Sequence, residues 1–231
     1  MSLFTILTCN IQCSIEGTRH EQLLHLVEII KLKNYTCVCL QDVNLTSLSI
    51  LKSKLHNYSI IETLNNGTPQ IILYDSNCSL KEEFCYSIPS KEEREILGCK
   101  LTYLEKEYEI LNVWLEHKSS EIRKKQIEVL LEVVSPQTLV VGDFNIVAMN
   151  EAANSLILKN KMCDAWINGG CNPQLRDTTF IDKRWHRTVR LLYFKTNYSV
   201  VCNGLLNNDC DNSAVTYEVT FYDAEPAGTI I

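Results

Sequence analysis

The sequence predicts one α/β domain in which helices cover a mixed β-sheet or a pair of sheets. Helical and strand patterns alternate along the chain, and hairpin patterns occur in its middle and at its end. Neither a repeat nor a break in composition divides it. With 231 residues, 45% of them apolar, the chain can bury a substantial core. We predict a single domain over residues 1–222, followed by a short tail over residues 223–231.

The first third of the chain alternates strands with helices. Apolar residues recur at intervals of three and four in the helical segments, whereas the strand segments are short apolar runs. We predict strands at Leu3–Thr8, Thr36–Leu40, Tyr58–Ile61 and Gln70–Tyr74, and helices at His20–Leu32 and Leu45–Leu55.

The rest of the chain begins with a hairpin, whose strands Ile96–Leu104 and Tyr108–Leu115 flank a charged turn. The helix Glu121–Val134 follows, with Arg123, Lys124 and Lys125 predicted to face mostly outward. A looser region, Met149–Asp182, separates it from the last strands. The remaining strands are predicted at Thr138–Val141, Val189–Phe194, Tyr198–Val201 and Val215–Phe221.

Composition narrows the classes of function. The net charge is −6 and the pI is near 5.4, whereas proteins that rely on non-specific phosphate contacts are normally basic. No apolar run approaches the roughly 18 residues of a membrane-spanning helix, and no secretory leader precedes the first strand. The eleven cysteines are odd in number and lack zinc-site spacing, which favours reduced thiols. We therefore predict an intracellular protein of the cytoplasm or nucleus that does not associate with membranes.

Polar side chains follow several of the predicted strands. Asn10, Asp42 and Asp211 are three of them, and the strand Leu139–Val141 leads into Gly142-Asp143-Phe144-Asn145. Asp143 and Asn145 lie two residues apart, so along an extended strand their side chains point the same way. Carboxylates at the ends of different strands can converge on a hard cation such as Mg²⁺. Asp and Asn are also common in turns, so each residue alone has a purely structural interpretation.

The order and spacing of the set resemble the endonuclease–exonuclease–phosphatase superfamily, and most closely its 5′-tyrosyl-DNA phosphodiesterase branch. The resemblance spans almost the whole chain and implies a four-layer α/β sandwich, with two central mixed β-sheets flanked by helices. The segments that carry it are Leu7-Thr8-Cys9-Asn10-Ile11, Leu40-Gln41-Asp42-Val43, Leu111-Asn112-Val113-Trp114-Leu115, Arg123-Lys124-Lys125-Gln126, Val141-Gly142-Asp143-Phe144-Asn145, Asp164-Ala165-Trp166, Thr178-Thr179-Phe180 and Cys210-Asp211-Asn212.

The resemblance also implies roles for the matching residues. Asp42 matches a glutamate that binds metal, and Asn10 and Asp211 match residues beside that metal, with Asp211 a second candidate ligand. Asp143 and Asn145 match residues that orient the attacking water and the phosphate. The implied cofactor is Mg²⁺.

Other positions depart from the superfamily pattern. Trp114 replaces a histidine that contacts the phosphate in relatives, and Asn212 replaces the catalytic histidine. The aspartate that would hold that histidine is replaced by Val189, or by Leu192 in an alternative register. Losing a general acid/base typically lowers the rate by about 10²–10⁴. We therefore predict a pseudoenzyme that reuses the fold to bind a protein or nucleic acid. The alternative is an active Mg²⁺-dependent phosphodiesterase that acts on 5′ DNA or RNA ends or adducts.

Two groups of basic residues bear on this alternative. His117 would face away from the site along one continuous strand, whereas His186 in a predicted loop could replace the lost histidine. Lys183, Arg187 and Arg190 form a local basic cluster. The cluster is interpreted either as a solvated strand edge or as a contact for phosphate or a nucleic-acid 5′ end. The sequence does not identify the partner or the oligomeric state.

Overall fold

Two β-sheets lie face to face between two outer layers of helices. The computed structural model describes residues 3–11, 19–63, 69–90, 93–146, 151–168, 189–194, 198–206 and 214–221. Within these ranges each sheet has six strands. The first sheet has the order β11-β12-β1-β2-β4-β3 and the second the order β5-β6-β7-β8-β10-β9.

The element bounds follow the alternation predicted from the sequence. The helices are α1 (Arg19–Lys33), α2 (Leu45–Lys54), α3 (Ser120–Val133), α4 (Ala152–Lys159) and α5 (Ala165–Asn168). The strands are β1 (Phe4–Asn10), β2 (Cys37–Gln41), β3 (Tyr58–Glu62), β4 (Ile71–Asp75), β5 (Ser79–Ser87), β6 (Glu95–Tyr103), β7 (Lys106–Trp114), β8 (Thr138–Asp143), β9 (Met162–Asp164), β10 (Val189–Phe194), β11 (Tyr198–Leu206) and β12 (Ala214–Phe221).

The side-chain alternation of the central strands divides the core into three layers. One set of strand residues, such as Ile6 of β1 and Val141 of β8, packs between the sheets. The intervening residues of the first sheet pack against α1 and α2, as Leu7 does. Those of the second sheet, including Val140, pack against α3 and α4. The four-layer α/β sandwich is therefore confirmed.

Side chains at two helix starts fix where α2 and α3 begin. The Asn44 side chain accepts a hydrogen bond from the backbone N–H of Ser47 at 2.8 Å. The Ser119 hydroxyl accepts one from the backbone N–H of Ile122 at 3.3 Å. Each bond satisfies a backbone donor that has no partner within the helix. The start of α3 in turn fixes the loop that connects it to the end of β7.

Some sequence expectations need correction or extension. β5 was not predicted, and α4 lies in the region expected to be loose. The prediction that Arg123 faces mostly outward is wrong, because its side chain is buried against Glu151 and the carbonyl groups of the preceding loop.

The cysteines that the structure describes are free thiols. None of the helices in the described ranges is long and apolar enough to cross a membrane. The domain boundary at residue 222 stays a prediction.

Candidate active site

The residues that end or directly follow the central strands lie at one end of the space between the sheets. Asn10 is the last residue of β1, Asp42 follows β2, Trp114 ends β7 and Asp143 ends β8. β1 runs parallel to β2, and β7 runs parallel to β8. The strands of each pair therefore end at the same edge of their sheet. Alternate residues of β1 and β8 belong to the core between the sheets, which places Asn10 and Asp143 on facing surfaces.

A hydrogen bond between Asn10 and Asp143 joins the two sheets. Asn10 Nδ2 donates to Asp143 Oδ2 at 2.9 Å, and both residues are buried. The second carboxylate oxygen of Asp143, Oδ1, accepts from the backbone N–H of Asn145 at 3.1 Å. Donors on both oxygens thus hold the Asp143 carboxylate in one orientation.

Asn145 adopts a backbone conformation that few residues other than glycine tolerate. Its φ is +50°, in the left-handed region where asparagine is one of the favoured residues. The turn allows Asn145 Nδ2 to donate to the carbonyl oxygen of Leu115 at 2.9 Å. The backbone N–H of Leu115 donates to the carbonyl oxygen of Asp143 at 2.9 Å. The ends of β7 and β8 are therefore fastened together around this turn.

Position 142 requires glycine because the backbone of β7 lies very close to it. Its φ is +141°, and a Cβ atom at this position would lie 2.0 Å from the carbonyl oxygen of Val113. A side chain would force the two strands apart just before Asp143. The glycine of the Gly-Asp-Phe-Asn sequence is thus explained by the distance between two backbones.

Trp114 occupies the position beside Asp143 on the neighbouring strand. The two residues are register partners in the parallel pairing of β7 and β8, and the indole is half-buried. Arg94 lies over the indole ring, with its Cζ atom 4.0 Å from the ring centroid. Its Nη1 atom donates to the carbonyl oxygen of Leu115, the same atom that accepts from Asn145. One carbonyl group thus links the Arg94–Trp114 pair to the Asp143–Asn145 turn.

The role of Arg94 was missed in the sequence. Arg94 belongs to the charged run Lys91-Glu92-Glu93-Arg94-Glu95, which is typical of a solvated loop. In the fold its side chain is only 5% exposed. The contact with Trp114 depends on tertiary structure, so no local pattern could reveal it.

A layer of buried amides closes the core next to the site. Gln41 Nε2 donates to Asn112 Oδ1 across the sheets at 2.8 Å and lies 3.2 Å from Thr8 Oγ1. Asn112 Nδ2 donates to the backbone carbonyls of Leu40 and Ile71 at 3.0 and 2.9 Å. Thr8 and Asn112 lie two residues before Asn10 and Trp114 on their strands. The amide layer therefore supports the site from the interior, and its one signal in the sequence is the presence of amides in apolar strands.

Asp42 is the candidate metal ligand that the structure describes. It is 1% exposed and has a left-handed φ of +57° directly after β2. Its carboxylate and the Asn10 amide have the oxygen chemistry that Mg²⁺ prefers. The part of the chain that the structure describes contains no group of three or more His, Cys, Asp or Glu side chains that could hold a metal ion. The described residues therefore supply one carboxylate, that of Asp42, and Mg²⁺ binding stays a prediction.

Several predicted site residues fall outside the described ranges. They are Lys183, His186, Arg187, Asp211 and Asn212.

The two positions proposed for the missing aspartate lie differently relative to Asp143. Val189 is the register partner of Asp143 in the antiparallel pairing of β10 and β8. Leu192 instead packs in the core under α3 and α4, on the other side of the sheet from Asp143. The position next to Asp143 is therefore that of Val189.

The predicted phosphate or nucleic-acid contact at Arg190 is wrong. Arg190 is 3% exposed, and its Nη1 atom donates to Asn154 Oδ1 at 2.6 Å. The same atom lies 3.6 Å from Asp164 Oδ2, and Nη2 donates to the carbonyl oxygen of Ile146 at 3.3 Å. Arg190 thus fastens α4 and β9 to β10 from within the core.

His117 lies in the loop after β7, next to Glu116. Its Nδ1 atom lies 3.6 Å from Glu116 Oε1 in the loop after β7. Its carbonyl oxygen accepts a hydrogen bond from Arg123. The second contact ties His117 to the first turn of α3.

No family model matches the sequence, and no curated protein matches it. Solved structures do match the fold. TDP2 from D. rerio, complexed with a single-strand DNA product, has a TM-score of 0.77 at 17% identity over 95% of this chain and 100% of that one. Truncated TDP2 from Caenorhabditis elegans has a TM-score of 0.76 at 16% identity over 95% of this chain and 98% of that one. An endonuclease/exonuclease/phosphatase family protein from Bacteroides thetaiotaomicron has a TM-score of 0.73 at 12% identity over 96% and 98% of the two chains.

The chain has the fold of the endonuclease/exonuclease/phosphatase superfamily. TDP2 proteins from two animals are among the solved structures that share this fold. At these identities the likeness establishes the fold.

Proposed function

We propose that this chain is a catalytically impaired protein of the endonuclease/exonuclease/phosphatase fold. Its cleft binds the 5′ end of a single-stranded nucleic acid rather than hydrolysing a phosphodiester. The proposed setting is the reducing interior of the cell, in keeping with the buried free thiols. A similar fold in D. rerio TDP2 holds a single-strand DNA product, which supports the class of ligand.

One observation carries the proposal: Trp114 is fixed by Arg94 in the position beside Asp143. Indole cannot transfer a proton at neutral pH, and its single N–H is a weak replacement for a charged phosphate contact. In the sequence, Asn212 and Val189 replace the histidine and aspartate that would supply acid/base chemistry. An amide can donate a hydrogen bond to a phosphate oxygen but cannot act as a general acid.

The residues that remain suit binding of a phosphate group. Asp42 and Asn10, with Asp211, would hold Mg²⁺, whose bound charge would neutralise phosphate oxygens. Asp143 keeps Asn10 oriented through their hydrogen bond. The Asn145 turn keeps both strand ends in place. These residues can position a ligand, but none of them is a histidine that could act as the general acid.

The second candidate is an active Mg²⁺-dependent phosphodiesterase. The buried Asn10–Asp143–Asn145 arrangement favours it, because the Asp143 carboxylate is oriented by hydrogen bonds on both oxygens. An oriented carboxylate can place a water molecule for attack on phosphorus. This candidate needs a proton-transfer group from outside the described residues, and His186 is the one the sequence offers.

The test is hydrolysis of a 5′-phosphotyrosyl oligonucleotide and of a plain phosphodiester reporter, each with Mg²⁺ and with Mn²⁺. Wild-type protein is compared with Asp143→Asn. We expect no turnover above background in either protein. Turnover that Asp143→Asn abolishes would refute the proposal in favour of the active enzyme.

Asp75→Asn is the matched control. Asp75 is a buried aspartate at the end of β4, and its Oδ1 atom accepts from the backbone N–H of Asn77 at 2.8 Å. It therefore repeats the local Asp143–Asn145 turn at the opposite end of the first sheet. A loss of turnover that both variants share would reflect folding, whereas a loss confined to Asp143→Asn would reflect the site.

A further inference from the structure

We propose that Trp114 forms a base-stacking subsite in the cleft and that Arg94 is the positioning residue that holds the indole ring. The ligand group is an unpaired nucleobase at the end of a single strand. This inference rests on the proposed function, because it specifies how the cleft recognises a nucleic-acid end.

The two faces of the indole have different surroundings. Arg94 covers one face, with Cζ 4.0 Å from the ring centroid, and Arg94 itself is 5% exposed. That face is therefore closed to solvent. Trp114 is partly exposed, and since Arg94 covers one face, the proposed stacking surface is the opposite face. The open face of a fixed aromatic ring is a surface on which a base can stack.

Arg94 is hydrogen-bonded to the same strand end that carries the indole. Arg94 Nη1 donates to the carbonyl oxygen of Leu115 and lies 3.4 Å from the carbonyl oxygen of Trp114. The planar guanidinium is thus anchored on the backbone of the strand end that carries the ring. Stacking on a fixed ring costs less conformational entropy than stacking on a mobile one.

The position of the ring links the subsite to the remaining polar residues. Trp114 is the register partner of Asp143, and Asn112, two residues earlier on β7, points between the sheets. The indole therefore lies on the cleft side of the second sheet, next to the Asp143–Asn145 turn. A base stacked there has its phosphate at the strand ends where Asn10 and Asp143 meet.

Because the chain is negatively charged overall, we expect aromatic stacking to contribute more to the affinity than attraction to phosphates. A chain of net charge −6 does not attract nucleic acid over long distances. Specific contacts must then supply most of the affinity, and stacking on an aromatic side chain strengthens binding roughly tenfold or more per base. We accordingly expect a weak dependence of affinity on salt, unlike that of a basic nucleic-acid-binding protein.

The experiment compares the affinities of two oligonucleotide probes for the full chain. One is a 5′-phosphorylated single-stranded oligothymidylate, and the other has the same backbone with abasic residues at its 5′ end. Affinity is measured by fluorescence anisotropy of a 3′ label. We expect the base-containing probe to bind about tenfold more tightly. Trp114→Leu should make the two affinities equal, whereas Trp114→Phe should keep most of the difference.

A second pair of variants tests the positioning role. Arg94→Gln removes the planar cation from the ring, and we expect it to reduce the ratio of the two affinities severalfold. Lys124→Gln is the charge-matched control, because Lys124 is an exposed cation on α3 that pairs with Glu128 at 3.5 Å. It should leave the ratio unchanged. Equal effects of the two variants would show that Arg94 acts through its charge alone and would overturn its positioning role.

The outcomes separate this inference from the proposed function. Equal wild-type affinities for the two probes, or a ratio unchanged by Trp114→Leu, would overturn the stacking subsite. Absence of binding to both probes would also overturn it, while leaving the hydrolysis test to decide whether catalysis is impaired. Conversely, robust turnover with a Trp114-dependent affinity ratio would refute impaired catalysis and support the subsite.

Discussion

Replacing Arg123 with methionine should destabilise the protein more than any ordinary change on a helix surface. The Arg123 guanidinium donates to both carboxylate oxygens of Glu151, at 2.6 and 3.0 Å. Its Nη1 atom also donates to the carbonyl oxygens of Glu116 and His117, at 2.8 and 3.1 Å. The side chains of the pair are 7% and 8% exposed. The interaction therefore fastens the start of α3 to the residue that precedes α4.

The magnitude follows from what the substitution leaves behind. Methionine fills much of the volume but leaves the Glu151 carboxylate buried without its cation and two carbonyl groups without their donor. Removing one partner of a buried ion pair typically costs about 3–5 kcal/mol. We expect Arg123→Met to lower the free energy of unfolding by about 4 kcal/mol, a large part of the ~5–15 kcal/mol of a typical domain. Because replacing both partners removes the isolated charge, Arg123→Met/Glu151→Met should cost less than Arg123→Met alone.

The assay is urea denaturation followed by circular dichroism, with the m-value checked for constancy. Lys124→Met is the control, because the neighbouring Lys124 side chain is 49% exposed and its ion pair lies on the surface. The control should change stability by less than about 0.5 kcal/mol. A loss below about 1 kcal/mol for Arg123→Met, or a loss equal to that of Lys124→Met, would refute the reasoning.

Three further predictions concern the strand ends and the core. Gly142→Ala should lower the free energy of unfolding by about 3 kcal/mol or prevent folding, because Gly142 has a positive φ and the backbone of β7 leaves no room for a Cβ atom. A melting midpoint equal to that of the wild type would contradict this. Burial raises the pKa of the Cys37 and Cys99 thiols well above the usual range. Since the thiolate is the reactive form, neither should be alkylated in the folded protein at about pH 8, as mass spectrometry would show, and rapid native labelling would refute this. Asn212→His alone should restore little hydrolysis, whereas Asn212→His with Val189→Asp should restore more; equal rescue would disprove the pairing.

The fold could be predicted from the sequence where each strand is a continuous apolar run. β2, Cys37–Gln41, is buried along its whole length, so its hydrophobicity marked it clearly. β5 was missed because it is an edge strand whose residues are mostly exposed, and its Lys81-Glu82-Glu83 segment is typical of a solvated loop. Charged residues on an exposed edge also hinder pairing with other chains. Pattern-based prediction thus fails where a strand has little apolar surface to bury.

Only the positions of site residues that directly end a strand could be predicted from the sequence. The convergence of Asn10 and Asp143 follows from polar residues at the ends of neighbouring strands, and their hydrogen bond bears out the expected proximity. Arg94, Arg123 and Arg190 could not be placed, because a charged residue is exposed by default. Each is buried here by partners distant in sequence. Those partners become neighbours only once the sheets have packed.

The position of β1 in the first sheet has a consequence for the order of folding. β1 lies between β2 and β12, and its register pairs Phe4 with Val219. The strands of the second sheet all fall between Ser79 and Phe194. During synthesis the second sheet can form before the chain is complete, whereas one edge of β1 stays open until β12 has left the ribosome. Such distant pairing slows folding and leaves an unpaired edge exposed to other chains. A chain truncated before residue 214 would keep that edge permanently open and would aggregate rather than fold.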